Sequence, residues 1–216
     1  MKKYIDRHDA GKILAQHLQH YAHQKNAIVL ALPRGGVPVA YEVAKAFSLP
    51  LDIFIVRKLG VPGHEELAMG AMASGGMIVF NENIVRELHI SKQTIDHVIE
   101  NEKNEIARRE ITYRGARPLP DLTQKTVILV DDGIATGATI RAAIQSLRAQ
   151  LIERLVVAIP VASEDICRDL ARLADEWICP MKPSFFSAVG EWYEDFTQTS
   201  DEEVSRLMHC YKTKNA

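Results

Sequence analysis

The sequence predicts an α/β fold: a mainly parallel, open sheet with helices on both faces. Three observations carry this. Short apolar runs recur near residues 27–32, 51–56, 77–80, 126–130 and 155–159, and their continuous hydrophobicity suits strands covered on both faces better than the alternation of a half-solvated sheet. Helical spacing fills the intervals between runs, the mark of βα repeats joined by right-handed crossovers. One run, Val127 to Val130, ends in two adjacent carboxylates and a small-residue turn, and open α/β sheets hold their ligands above such strand ends.

The chain starts with a helix that Asp9 can cap, in which Ile13, Leu14, Leu18 and Tyr21 form one apolar face. His17, His20 and His23 lie near it without an acidic or cysteine ligand at a recognised spacing, so they read as solvated histidines rather than a metal site. After the run 27–32, Val37, Ala40, Val43, Ala44 and Phe47 keep helical spacing, with Pro38 near the start. Residues 91–113 contain neither Gly nor Pro, and Ile95, Val98, Ile99 and Ile106 share a face, which predicts one long inserted helix. Glu102 and Arg109 project from that face; they can pair with each other, mark a protein–protein contact, or sit on a partly exposed surface. Residues 117–121 form a linker back to the sheet. Ser200 followed by Glu203 is a capping box for a last helix with Val204, Leu207, Met208 and Tyr211 inward.

Bulk properties set limits. At 216 residues, 47% hydrophobic and 25% charged, the chain suits one principal globular domain. A formal net charge of −2 gives no electrostatic case for nucleic acid or an anionic membrane as partner. No stretch approaches the ~20 apolar residues that span a bilayer, and residues 1–8 lead into no apolar signal core, so a cytoplasmic location is expected. Cys167, Cys179 and Cys210 are scattered, odd in number and without metal spacing; they read as packing residues.

The richest segment is 127–139, VILVDDGIATGAT. Gly133 and Gly137 let the loop curl and point several N–H groups at one oxyanion. The following helix adds its amino-terminal partial charge, typically ~0.3–1 kcal/mol. Ionised carboxylates only accept hydrogen bonds, which matches Asp131 and Asp132 to two neighbouring hydroxyl donors. Acids that merely cap the helix are the plain alternative, but a cap needs one carboxylate near the helix start, not a pair at the strand tip. The spacing lacks the Lys of a nucleoside-triphosphate loop, and no GxGxxG or GxSxG follows a strand.

In kind and order this segment closely resembles the phosphoribosyl-pyrophosphate motif of the type I phosphoribosyltransferases, with the resemblance covering about residues 27–161. It implies that Asp131 and Asp132 face the ribose 2- and 3-hydroxyls and that Ala135, Thr136, Gly137, Ala138 and Thr139 hold the 5-phosphate. Arg34, Gly35 and Gly36 stand where that family binds diphosphate, although Arg-Gly-Gly alone is also an ordinary turn with a solvated arginine. Arg57 and Lys58, at the end of the second expected strand, resemble the basic entry to the family's flexible catalytic loop. Residues 59–70 then form an expected lid in which Glu65 or Glu66 could relay a proton or simply be exposed. A small hood is expected over 181–216, with Phe186, Trp192 and Tyr193 either stacking on a planar base or packing the hood onto the sheet. It belongs to the same domain as the core, 1–180.

The resemblance further implies Mg²⁺, held by diphosphate and ribose oxygens with Asp131 and Asp132 as its protein contacts if any. It implies transfer of a phosphoribosyl group to a nitrogenous base in nucleotide salvage, with diphosphate released. Ala135 stands where 6-oxopurine enzymes place an acidic residue, which weakens hypoxanthine or guanine as acceptor. A non-catalytic sensor of the same donor and a sugar-phosphate hydrolase are the alternatives, and a homodimer is left open.

Overall fold

The continuous apolar runs do become buried strands, and the amphipathic intervals become the helices that cover them. In the computed structural model, which describes residues 2–115 and 117–215 and leaves out the side chains of Glu65, Glu66 and 212–215, the order is α1 (Arg7–Gln16), β1 (Ala27–Ala31), α2 (Gly36–Phe47), β2 (Leu51–Ile53), β3 (Val56–Val61), β4 (His64–Ala73), β5 (Met77–Phe80), α3 (Glu82–Glu87) and α4 (Lys92–Arg114). It continues through β6 (Thr126–Val130), α5 (Ala138–Arg148), β7 (Arg154–Ala158), α6 (Glu164–Ala171), β8 (Glu176–Ile178) and α7 (Asp201–Asn215).

Five strands form one parallel sheet in the order β2-β1-β6-β7-β8. Side chains alternate across it, as strand geometry requires. Val29, Ala31, Ile128, Val130, Val156 and Ala158 enter the core shared with α2, α4 and α7. Leu30, Val127, Leu129, Leu155 and Val157 enter the opposite core with Ile140, Ile144 and Leu147 of α5 and Leu170 of α6. At ~1.5–3 kcal/mol for each large apolar side chain removed from water, these two layers dominate the stabilisation. The last helix forms as the capping box dictates: Ser200 Oγ accepts from Glu203 N at 3.2 Å, and Val204, Leu207, Met208 and Tyr211 are buried.

Four expectations need correction. Residues 51–56 are not one strand: β2 ends at Ile53, and Arg57 and Lys58 belong to β3 of a separate antiparallel sheet, order β3-β4-β5. The run 77–80 lies in that sheet, paired antiparallel with β4, not in the parallel one. Residues 59–70, expected as a long glycine-bearing lid segment, form mostly a hairpin, turned by Pro62 and Gly63, the latter at φ +80°. Its glycines disguise it, yet Gly70 is there for packing, since a Cβ would stand 2.5 Å from the Val79 carbonyl oxygen. The first helix is capped by Asp6, whose carboxylate accepts from Asp9 N at 2.7 Å, while Asp9 accepts from Ile5 N at 3.0 Å.

A buried ion pair locks α4 to the sheet. Arg114, its side chain 1% exposed, donates from Nε to Asp52 Oδ1 at 2.8 Å and from Nη2 to the Ile53 carbonyl at 2.8 Å. Removing one partner strands the other charge in the core, which costs ~3–5 kcal/mol. Arg114→Ala should therefore lose about that much stability in urea unfolding. A loss below ~1 kcal/mol would show that the pair does not hold the helix.

Candidate ligand site

The chain leaves β1 towards β2 on one side and leaves β6 towards β7 and β8 on the other. Loops after β1 and β6 therefore diverge, and the crevice between them is where an open α/β sheet binds ligands. The two strand ends are tied together, with Leu32 N donating to the Val130 carbonyl at 2.9 Å. This brings residues 33–36 against residues 131–137.

The loop after β6 is an amide nest. Ile134 N donates to the Val161 carbonyl at 3.0 Å and fixes the middle of the loop. Beyond it, the N–H groups of Ala135, Thr136 and Gly137 donate to no group among the described residues. Gly137 sits at φ +77° and caps α5 with no side-chain bond, so the first N–H groups of α5 are open as well. Free amides and a helix start directed together form a site for an oxyanion. Gly133 has a different reason from the one expected: it is absent from the positive-φ residues, but a Cβ there would lie 2.4 Å from Val189 Cγ1. Smallness, not backbone freedom, is required at that position.

Opposite the nest, Arg34 and Gly35 also leave their amides without a described partner, and the Pro33–Arg34 peptide is cis. Gly35 is forced by its neighbour, because a Cβ would fall 2.0 Å from Asp132 Oδ2. At Gly36 a Cβ would lie 2.8 Å from the Val130 carbonyl oxygen. The two loops thus touch, and the acid pair sits at the contact.

Burial pushes the Asp131 carboxyl well above the usual carboxylate range, and the charge of Asp132 pushes it the same way. Asp132 is also raised by burial, but Arg7 opposes the shift. Arg7 donates from Nε to Asp132 Oδ2 at 2.8 Å and from Nη1 to the Thr197 carbonyl at 2.7 Å, with its guanidinium carbon 3.9 Å from the centre of the Phe196 ring. Sequence reasoning missed Arg7 altogether, since 125 residues separate it from Asp132 and no motif marks it. Its segment is held by backbone bonds from Tyr4 N to the Trp192 carbonyl and from Glu194 N to the Tyr4 carbonyl. The hood and the amino terminus therefore grip the acid pair together.

The remaining candidates are distributed around this centre. Arg34 Nη1 lies 3.3 Å from Asp201 Oδ1 at the start of α7. Arg57 Nε is bound to Glu102 Oε2 of α4 at 2.6 Å, and Arg109 to Glu105 at 2.6 Å, so Glu102 and Arg109 do not pair with each other. Lys58 is exposed on β3. Glu65 and Glu66 fall on β4, with their side chains outside the described residues. Tyr193 is buried against Tyr4, and its hydroxyl donates to the Asp132 carbonyl. Phe186 and Trp192 stack on each other with centroids 6.4 Å apart. Among the described residues no group of three or more His, Cys, Asp or Glu could cage a metal, and no helix is long and apolar enough to cross a membrane.

Comparison with known proteins agrees with this geometry. The sequence matches the phosphoribosyl transferase domain family over residues 5–195. Two proteins of Mycobacterium tuberculosis, from strains CDC 1551 / Oshkosh and ATCC 25618 / H37Rv and each named "Putative phosphoribosyl transferase", are 47% identical over 204 residues, or 94% of this chain and 46% of each relative. The chain spans about half the length of these curated relatives. The crystal structure of TT1426 from Thermus thermophilus superimposes with a TM-score of 0.85 at 36% identity, covering 98% of this chain and 99% of that one.

The acid pair carries a stability cost that can be measured. A carboxyl whose folded pKa is raised destabilises the fold once pH exceeds its unfolded pKa, and the cost vanishes below that value. Asp131→Asn should therefore raise the melting temperature at pH 7.5, by roughly 2–8 °C for about 1–2 kcal/mol in a chain of this size. The difference should shrink as pH falls through the raised native range to the ordinary carboxylate range. A variant no more stable than wild type at pH 7.5 would contradict a desolvated, repelling pair.

Proposed function

The chain belongs to the phosphoribosyl transferase domain family, and from that premise we propose that it binds Mg²⁺–phosphoribosyl pyrophosphate and transfers the phosphoribosyl group to a nitrogenous base. One observation supports the reading above others. The free amides at 135–137, the partly buried pair Asp131 and Asp132, and the Arg34–Gly36 loop meet at the sheet's switch point, with no room for a Cβ between Gly35 and Asp132. Such a cluster offers separate subsites for a phosphate, two hydroxyls and a second anion.

In the proposed reaction a ring nitrogen of the base forms a bond to ribose C1 as the bond from C1 to the diphosphate oxygen breaks; the electron pair leaves with diphosphate, and the proton of the attacking nitrogen passes to water or to the departing diphosphate. The nest at 135–139 anchors the 5-phosphate, so the sugar is held before chemistry starts. Asp131 and Asp132 accept from the ribose hydroxyls, which offsets part of their mutual repulsion. Arg34 and the free amides of Arg34 and Gly35 receive the diphosphate, with Lys58 as the cation of the neighbouring hairpin. The donor set fits Mg²⁺: hard carboxylate oxygens are present without a cage, so the ion would arrive with the donor, keep waters, and reach the protein only at Asp131 or Asp132. When bound, it supplies neutralisation of the diphosphate charge. Nucleotide salvage and a cytoplasmic setting belong to the same proposal.

A specific contact favours a second reading. Arg57, one of the two cations expected to assist departure, is bound to Glu102, as suits a protein that binds the donor as a sensor without turning it over. Diphosphate release from the Mg²⁺-bound donor, measured against a panel of bases, separates the readings. Transfer predicts base-dependent release that falls at least ~100-fold, about 3 kcal/mol, in the Asp131→Asn, Asp132→Asn double variant. Wild-type rates in that variant would refute the site. Binding without release points to the sensor, and release without a base to the hydrolase.

A further inference from the structure

Arg7 touches three separate parts of the candidate site, yet lies outside every motif that marks it. Its Nε donates to Asp132 Oδ2 at 2.8 Å, its Nη1 donates to the Thr197 carbonyl at 2.7 Å, and its guanidinium carbon lies 3.9 Å from the centre of the Phe196 ring. A Cβ built on Gly35 would stand 2.0 Å from Asp132 Oδ2 and 3.2 Å from Arg7 Nε. The ion pair therefore rests directly on the backbone of the loop after β1. Acid pair, diphosphate loop and hood converge on one guanidinium.

Local structure explains its delivery. Arg7 is the first residue of α1, placed just after the Asp6 cap. Gly11 follows at i+4 on the same face of the helix, and a Cβ there would fall 2.6 Å from the Val39 carbonyl oxygen of α2. Glycine thus lets α1 approach α2 closely one turn from Arg7, and α2 begins at Gly36, directly behind the loop that carries Arg34 and Gly35. On the other side, Asp195 N donates to the Ile5 carbonyl at 2.9 Å and ties the hood to the residues before α1. The Phe196 ring packs on Tyr193 with centroids 5.0 Å apart, and a Cβ on Gly190 would stand 2.8 Å from it. Both ends of the bridge are therefore fixed by packing.

The chemistry of arginine suits the position. The side chains of Arg7 and Asp132 are only 11% and 14% exposed, so salt screens the pair weakly. A planar fork offers donors in fixed directions, which lets one group hold a carboxylate and a carbonyl at once while its face lies on a ring. Lysine, a point charge on a flexible stem, would meet only the charge requirement. Engaging Oδ2 fixes how the Asp132 carboxylate is turned towards the neighbouring loop.

We propose that Arg7 is a positioning residue for the donor: it orients the Asp132 carboxylate against the diphosphate loop and joins both to the hood, a role that rests on the donor reading above. Calorimetric titration of the full chain with Mg²⁺–phosphoribosyl pyrophosphate tests it, with inorganic phosphate as a second probe for the nest at 135–139, which Arg7 does not touch. Arg7→Ala should weaken donor uptake at least ~10-fold, and Arg7→Lys, which keeps the charge, should weaken it at least ~5-fold. Phosphate uptake should stay within ~2-fold of wild type in both variants, whereas a merely structural role would lower the two together. Millimolar guanidinium should restore part of the donor uptake of Arg7→Ala and leave wild type unchanged. Wild-type donor uptake in either variant, equal losses of donor and phosphate, or a loss that guanidinium does not restore would overturn the proposal. Absence of donor uptake by wild type is a different result, which removes the donor reading and with it the role of Arg7.

Discussion

Two adjacent, partly buried carboxylates at the point where the sheet changes direction impose the main constraint on this structure. Carboxylates out of water repel each other and resist ionisation, so the surroundings must supply compensation. Arg7 supplies part of it by binding Asp132 directly. The Asp132 backbone N–H donates to Asp131 at 2.9 Å, and the Tyr193 hydroxyl fixes the Asp132 carbonyl. Gly35 is a consequence of the same placement, since a side chain of any size would collide with Asp132. Charge that the protein does not fully neutralise remains at the acid pair, and perturbed carboxylates of this kind mark candidate functional sites.

The fold serves this arrangement in layers. A parallel sheet covered on both faces provides rigid strand ends, and the adjacent loops can then be irregular without losing position. The amino-terminal segment and the hood, distant in sequence, join by backbone bonds and close one side of the acid pair. Between α4 and α5 a second, antiparallel sheet brings Lys58 beside the nest. The same packing leaves a cavity next to Thr136, because small residues face each other across it.

Much of this was legible in the residues, for identifiable reasons. Runs such as VILV and AIVLA are continuous because both faces of the sheet are covered, so β1, β6 and β7 and their helices follow from pattern alone. The acid pair and the nest are contiguous, which is why 131–139 could be read as one unit. The antiparallel sheet escaped because VRKLGV and its partner strand carry charge and glycine, signals shared with loops. Arg7 escaped because its meaning lies in a contact across the whole fold. The reasons for Gly35 and Gly133 are likewise tertiary: each is small to admit a neighbour, and no local sequence rule contains that neighbour.

The most direct measurement is a crystal structure of the protein soaked with ribose 5-phosphate, a donor fragment that cannot react. The expected density places the phosphate within hydrogen-bond distance of the backbone N–H groups of residues 135–139, with the 2- and 3-hydroxyls on Asp131 and Asp132. A phosphate lodged between Lys58 and Arg141 with the acid pair untouched, or no density at saturating concentration, would contradict it.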